Sequence, residues 1–267
     1  MNELFLPLLV CLSITSATNR EIANPSLGTT TFVQAIAAAD TLTPTVFEVP
    51  ATASAQGQPM VNGATRDLSS LRVTVHTLKA GGSFSPPTGD SNDHLLIVKQ
   101  GSLVVSVDTF RNTLGPGGIG LFAAGKRPTL RNAGGDKTVF YLFSFRSRQA
   151  SNPDQARTAI VIDWPDMVMK KTDKGESRQI FSCPMAWLNK IDMHATTLDP
   201  GQISHPQHMH RAEEIILLRS GHVRMHIANG YKEASAGDLV FLPSGVPHDL
   251  ENSNTGRAEY FALQWMF

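Results

Sequence analysis

The chain of 267 residues carries 23 Lys and Arg against 23 Asp and Glu, a formal net charge of zero with a pI near 7.1. That balance argues against a general nucleic-acid binder, which needs a basic stripe, and against attraction to an anionic membrane. Hydrophobic residues at 41% with charged residues at 17% describe a globular chain, large enough for one big domain or two ordinary ones. With 21 Gly and 16 Pro, breakers favour short strands joined by turns, and two cysteines build no disulfide framework.

The chain opens on an uncharged apolar run from Leu4 to Ile14, followed by Thr15-Ser16-Ala17, small residues that suit signal cleavage after Ala17. The run is too short to span a bilayer. Residues 1–17 are therefore expected to be a cleaved signal peptide and the mature protein periplasmic or secreted. No Lys or Arg precedes the run, so the alternatives are an apolar arm or a misassigned start codon, the latter implying a cytoplasmic protein. Residues 18–44 read as an extension with one short helix over Thr31 to Asp40.

From about residue 77 to residue 145 the chain aligns with itself at an offset of 120 without a gap. Thr77-Leu78 meets Thr197-Leu198, Gly81 meets Gly201, Gly101 meets Gly221, Gly117 meets Gly237, Gly125 meets Gly245 and Asn132 meets Asn252. Between these turn formers the apolar alternation also agrees, Leu103, Val105 and Val107 answering Val223, Met225 and Ile227. Two copies of one β-unit follow: residues 45–146, a polar linker over 147–160, and residues 161–267.

The second copy concentrates the potential metal ligands. His208 and His210 stand two apart in a loop running into a strand, Glu214 follows at an even step, and His248 arrives from a later strand. Isolated, a surface histidine is usually solvated and a buried glutamate costly; together, an inward carboxylate among imidazoles requires a cation. His205, in the preceding loop, is the candidate catalytic acid or base, with a plain surface histidine as its alternative. His222 and His226 alternate with apolar neighbours and read as outward and structural. His194 enters the motif on a strand and could line the barrel; Arg178 and Gln264 are candidate carboxylate or carbonyl anchors that no spacing rule supports, and both are expected at the surface.

This arrangement resembles the cupin superfamily, whose motifs are G-x5-H-x-H-x3,4-E-x6-G and G-x5-P-x-G-x2-H-x3-N. Nine typed positions agree: His208, His210, Glu214, Gly221, Gly237, Pro243, Gly245, His248 and Asn252; Gly201 lies one residue farther from His208 than the pattern asks. The resemblance implies an all-β fold of two tandem jelly-roll barrels with few short helices. It also implies one divalent metal on His208, His210, Glu214 and His248. Three imidazoles and one carboxylate suit Mn, Fe or Zn, with Ni, Co or Cu admissible, better than Ca or Mg.

At the same offset, the first copy places Thr88, Asp90, His94 and Pro128 where the four ligands stand, and the first barrel is expected to be metal-free. Cupins with the three-His, one-Glu set include oxalate oxidases, oxalate decarboxylases and quercetin dioxygenases, so fold and ligands leave the reaction open. Two functions follow. One is a metal-dependent enzyme (dioxygenase, decarboxylase, isomerase or hydrolase in type) on a small oxygenated acid or carbonyl compound. The other is a non-enzymatic secreted small-molecule or sugar binder with a structural metal. The expected partners are a small-molecule substrate and, in a homodimer, a second copy, with no nucleic acid and no membrane in the mature form.

Overall fold

Apolar and polar residues alternating at period two make strands that are buried on one face, and Gly, Pro and Asn cut them into short lengths. A computed structural model describes residues 41–152, 154 and 159–266. The expected signal peptide, residues 18–40 of the extension and its helix lie outside them.

Strand β1 (Thr45–Phe47) precedes β2 (Gln58–Gly63), β3 (Leu68–Leu78), β4 (Ser83–Phe84), β5 (Asp93–Gln100), β6 (Leu103–Val107), β7 (Phe110–Leu114), β8 (Ile119–Phe122), β9 (Thr129–Arg131) and β10 (Thr138–Ser147). The second series is β11 (Ala159–Ile162), β12 (Met169–Thr172), β13 (Gly175–Cys183), β14 (Lys190–Leu198), β15 (Glu213–Ser220), β16 (His222–Ile227), β17 (Gly230–Ser235), β18 (Leu239–Leu242), β19 (His248–Glu251) and β20 (Ala258–Met266). A 3-10 turn at Trp164–Asp166 separates β11 from β12.

Each series folds into a jelly-roll barrel of two sheets. The first combines the sheet β11-β8-β5-β10-β3-β2 with β4-β9-β6-β7, and the second combines β1-β18-β15-β20-β14-β13-β12 with β17-β16-β19. The expected all-β, two-barrel class is the observed one. The repeat persists in backbone detail: Asp108 and Ala228, 120 residues apart, open the two-residue turns of equivalent hairpins with φ of 50° and 54°.

The barrels exchange edge strands. β1 pairs with β18 of the second barrel, Val46 opposite Val240, and β11 pairs with β8 of the first, Val161 opposite Gly120. The polar linker expected at 147–160 thus runs into β11, and β1 within the 45–146 segment is bonded to the other barrel. Each borrowed strand covers a sheet edge that would otherwise expose unpaired amides.

Alternation then distributes the core. Odd residues of β15 (Ile215, Leu217) join Phe143, Phe145, Phe241 and Trp265 in one buried cluster shared by both barrels. Even residues (Ile216, Leu218) point into the second barrel with Val223, Met225 and Leu250. Each buried Phe of the shared cluster stabilises the fold by about 1.5–3 kcal/mol relative to exposure.

Candidate metal centre

The face of β15 that points into the second barrel begins with Glu214, whose carboxylate is buried. His208 is pinned opposite His248 by a reciprocal backbone pair, His208 N–H donating to His248 C=O (3.1 Å) and His248 N–H to His208 C=O (2.9 Å). Gly245, in a left-handed conformation (φ +75°) that a side chain would strain, donates its N–H to His210 C=O at 2.8 Å. Loop and strand are so held that the rings of His208, His210 and His248 stand 5.2, 4.7 and 5.0 Å apart, centroid to centroid. One nitrogen from each lies within 4.8 Å of the other two, the one such group of three or more potential ligands among the described residues.

The second layer of bonds decides which nitrogens face the centre. His210 Nδ1 lies 2.9 Å from Ala212 C=O, and His248 Nδ1 lies 2.8 Å from Val246 C=O. A carbonyl accepts only, so both Nδ1 atoms carry the proton, and the Nε2 lone pairs turn inward. There they meet Glu214 Oε2 at 3.3 Å (His210) and 3.2 Å (His248). The His248 contact lacks hydrogen-bond geometry, and its Nε2 is buried without a hydrogen-bond partner. Lone pairs converging on a carboxylate oxygen repel unless a cation lies among them. Three imidazoles, one of them with its Nε2 orphaned, and one carboxylate therefore fit a transition-metal ion.

Where the imidazoles carry the second proton instead, the same contacts to Glu214 become ion pairs. Burial would raise the Glu214 carboxyl, but His210, His248 and the Gln264 amide hold it down to about 2. His208 is pushed below the usual imidazole range by burial and by the neighbouring imidazoles, whereas the bond to Glu214 raises His210. His205 stands edge-on to His208, centroids 3.9 Å apart, its pKa lowered by burial.

His208, Glu214 and His248 border a cavity of about 230 Å³. Ile216, Met225 and Leu242 give it apolar walls; His194 and His205 flank it, and Thr196, Ser204 and Tyr260 supply hydroxyls. Burial pushes the Tyr260 phenol up to about 12, so it stays a donor.

Two expectations are corrected. Gln264, expected at the surface, faces the cavity, and its Nε2 donates to Glu214 Oε1 at 3.2 Å, because β20 lies beside β15 and sets the two residues in register. Arg178, also expected at the surface, is mostly covered and stacks over Trp164 at 4.4 Å, outside the cavity. His222 and His226 lie on the outer face of β16, paired with Glu233 (2.8 Å) and Asp249 (3.1 Å). Sequence reading named neither Tyr260 nor Ser204; the alternation of Tyr260, Ala262 and Gln264 along β20 was the available signal for an inward polar face.

In the first barrel, Asp90 Oδ2 lies 3.3 Å from His94 Nε2, and Ser144 Oγ lies 3.1 Å from His94 Nδ1. Carboxylate and imidazole have traded the places they hold at His210 and Glu214. The barrel interior is filled: Phe84, Phe122, Phe140 and Leu142 occupy the positions of Ser204, Leu242, Tyr260 and Ala262.

Residues 194–264, which hold all four donors, match the family described as Cupin domain. No curated protein matches the chain. Among solved structures it is similar to a putative glyoxylate-induced protein from Pseudomonas aeruginosa (TM-score 0.62, 17% identity, covering 73% of this chain and 74% of that one). It is also similar to Lactobacillus farciminis oxalate decarboxylase in a formate complex (TM-score 0.62, 13%, 84% and 86%). A third is Bacillus subtilis oxalate decarboxylase, studied for its Mn(II) centres (TM-score 0.57, 14%, 74% and 69%). At such identities the likeness is one of fold.

Proposed function

We propose that the chain is a mononuclear metal-dependent cupin enzyme acting on a small oxygenated organic acid or carbonyl compound, with its metal in the second barrel only. The observation that carries this reading is the convergence of His208, His210, Glu214 and His248, three of which (His208, Glu214 and His248) border a cavity that has hydroxyl donors of its own. A metal with a purely structural task needs no such cavity beside it.

His208, His210, His248 and Glu214 would hold the ion, with manganese, iron or zinc as the first candidates. When bound, it supplies Lewis acidity toward a carboxylate, enol or carbonyl oxygen. Gln264 fixes the second oxygen of Glu214, and the apolar wall of Ile216, Met225 and Leu242 limits water. Glu214, committed as a donor, leaves proton exchange to a side chain outside the set, and we assign His205 at the cavity edge to that task.

Elemental analysis of the purified chain should find one equivalent of a transition metal. The double change His208→Ala, His210→Ala should abolish it and Asp90→Ala should leave it in place; two equivalents, or the reverse mutant pattern, refutes the assignment.

A further inference from the structure

On the same sheet as Glu214, two strands away, stands a pair that the metal site does not use. Asp192, His194 and Thr196 lie on the inward face of β14, alternating with the buried Ile191, Met193 and Ala195. His194 Nδ1 is 4.0 Å from Asp192 Oδ1, and the imidazole holds the Asp192 carboxyl below its usual range. At that separation the carboxylate attracts the imidazole without a hydrogen bond to it, and His194 lines the cavity. Between His194 and Ile216 the β20 residue in register is Ala262. Strands β14 and β15 are two spacings apart, roughly 9–10 Å, and the single methyl of Ala262 leaves that span open. In the first barrel Leu142 stands there and closes it. On the same cavity wall Ser204 brings a buried hydroxyl.

We propose that His194 is the specificity residue of the cavity: it reads a second oxygen, a hydroxyl, on a small carboxylic acid whose carboxylate the metal centre holds. The inference rests on the metal-binding reading above and adds the class of ligand, a hydroxy acid rather than a simple carboxylate. Apolar walls and an open gap of one side chain would admit either acid; only the imidazole, aided by the Ser204 hydroxyl, rewards the extra oxygen.

The test titrates the full chain, carrying the metal with which it purifies, with propionate, lactate and 3-hydroxypropionate by calorimetry. The wild type should bind one or both hydroxy acids about ten-fold more tightly than propionate, the size of one hydrogen bond to a polar partner. His194→Phe should bring them down to the affinity of propionate, with propionate binding and metal content unchanged, which also shows that the variant is folded. Ala262→Leu should abolish binding of all three acids with the metal retained. The proposal is overturned if the wild type makes no distinction or binds none of the acids, if His194→Phe keeps the preference, or if it weakens propionate equally. A wild-type chain that carries no metal overturns the metal reading, and this proposal with it.

Discussion

Glu213 and Asp93, 120 residues apart, lock the two barrels together by the same device used in opposite directions. Glu213, on β15 of the second barrel, accepts the backbone N–H groups of Arg66 (3.1 Å) and Asp67 (3.2 Å) from the first half of the chain, and the Trp265 indole N–H at 3.0 Å. Asp93, on β5 of the first, accepts the N–H of Trp187 from the second half at 2.9 Å and that of Ala124 at 2.7 Å. Both carboxylates are fully buried and each abuts a site position, Glu214 or His94.

Replacing Glu213 by Leu should therefore destabilise the protein strongly. It leaves buried N–H donors without an acceptor, at about 1–3 kcal/mol for each group so orphaned. Urea unfolding should show the loss, and a variant as stable as the wild type would remove Glu213 from the interlock.

The Gln264 amide bears on metal retention rather than folding. Gln264→Leu strips the donor from Glu214 Oε1 and should weaken metal affinity roughly 10- to 100-fold, the usual effect of losing a partner of a ligating carboxylate. Competition with a chelator measures it; unchanged affinity would mean that Glu214 orients itself.

Leu142→Ala tests why the first barrel is filled. It removes a buried side chain from the cluster around Leu96, Phe122 and Phe140 and should cost about 2–5 kcal/mol without adding a second metal. A second equivalent in this variant would show that packing, and not the ligand set at Asp90 and His94, keeps that barrel empty of metal.

His76 gives a pH dependence of stability remote from the metal donors. Its Nδ1 lies 3.0 Å from Ala55 C=O and its Nε2 2.8 Å from Thr74 Oγ1, and its ring stacks on Phe140 at 5.0 Å. Burial lowers its pKa below 6.5. As pH falls below about 6.5 the unfolded chain takes up this proton before the folded one, so the contribution of His76 is present above that pH and shrinks toward the lowered folded value. The stability of the wild type minus that of His76→Phe should fall between about pH 7 and pH 5, by at most about 1.4 kcal/mol per pH unit. A flat difference would contradict the neutral assignment.

The repeat and the four donors were legible in the sequence because both are written in short-range spacing. His208 and His210 face one way by an even step, Gly245 takes a left-handed turn that few residues accept, and the Asn252 amide bridges the Leu198 and Gly256 carbonyls. The first copy's exchange of Thr88, Asp90, His94 and Pro128 for the ligands was readable by the same arithmetic. Gln264 and His194 were visible only as polar residues in apolar strands. Their partners, Glu214 and Ala262, lie 50 and 68 residues away along the chain.

By itself the sequence determined two β-units in tandem, several of the turns that bound their strands, and the spacing of four candidate donors. These follow from side-chain alternation and from the few residues that tolerate a tight turn. Only the tertiary structure decided that β1 and β11 change barrels, that Glu213 and Asp93 tie the two halves, and that Ala262 opens a space which Leu142 closes. Those depend on which strands lie side by side. Hydrogen bonding between backbones is blind to side-chain identity, so pairing is chosen by how the whole apolar surface is buried, a property of the folded chain and not of any segment.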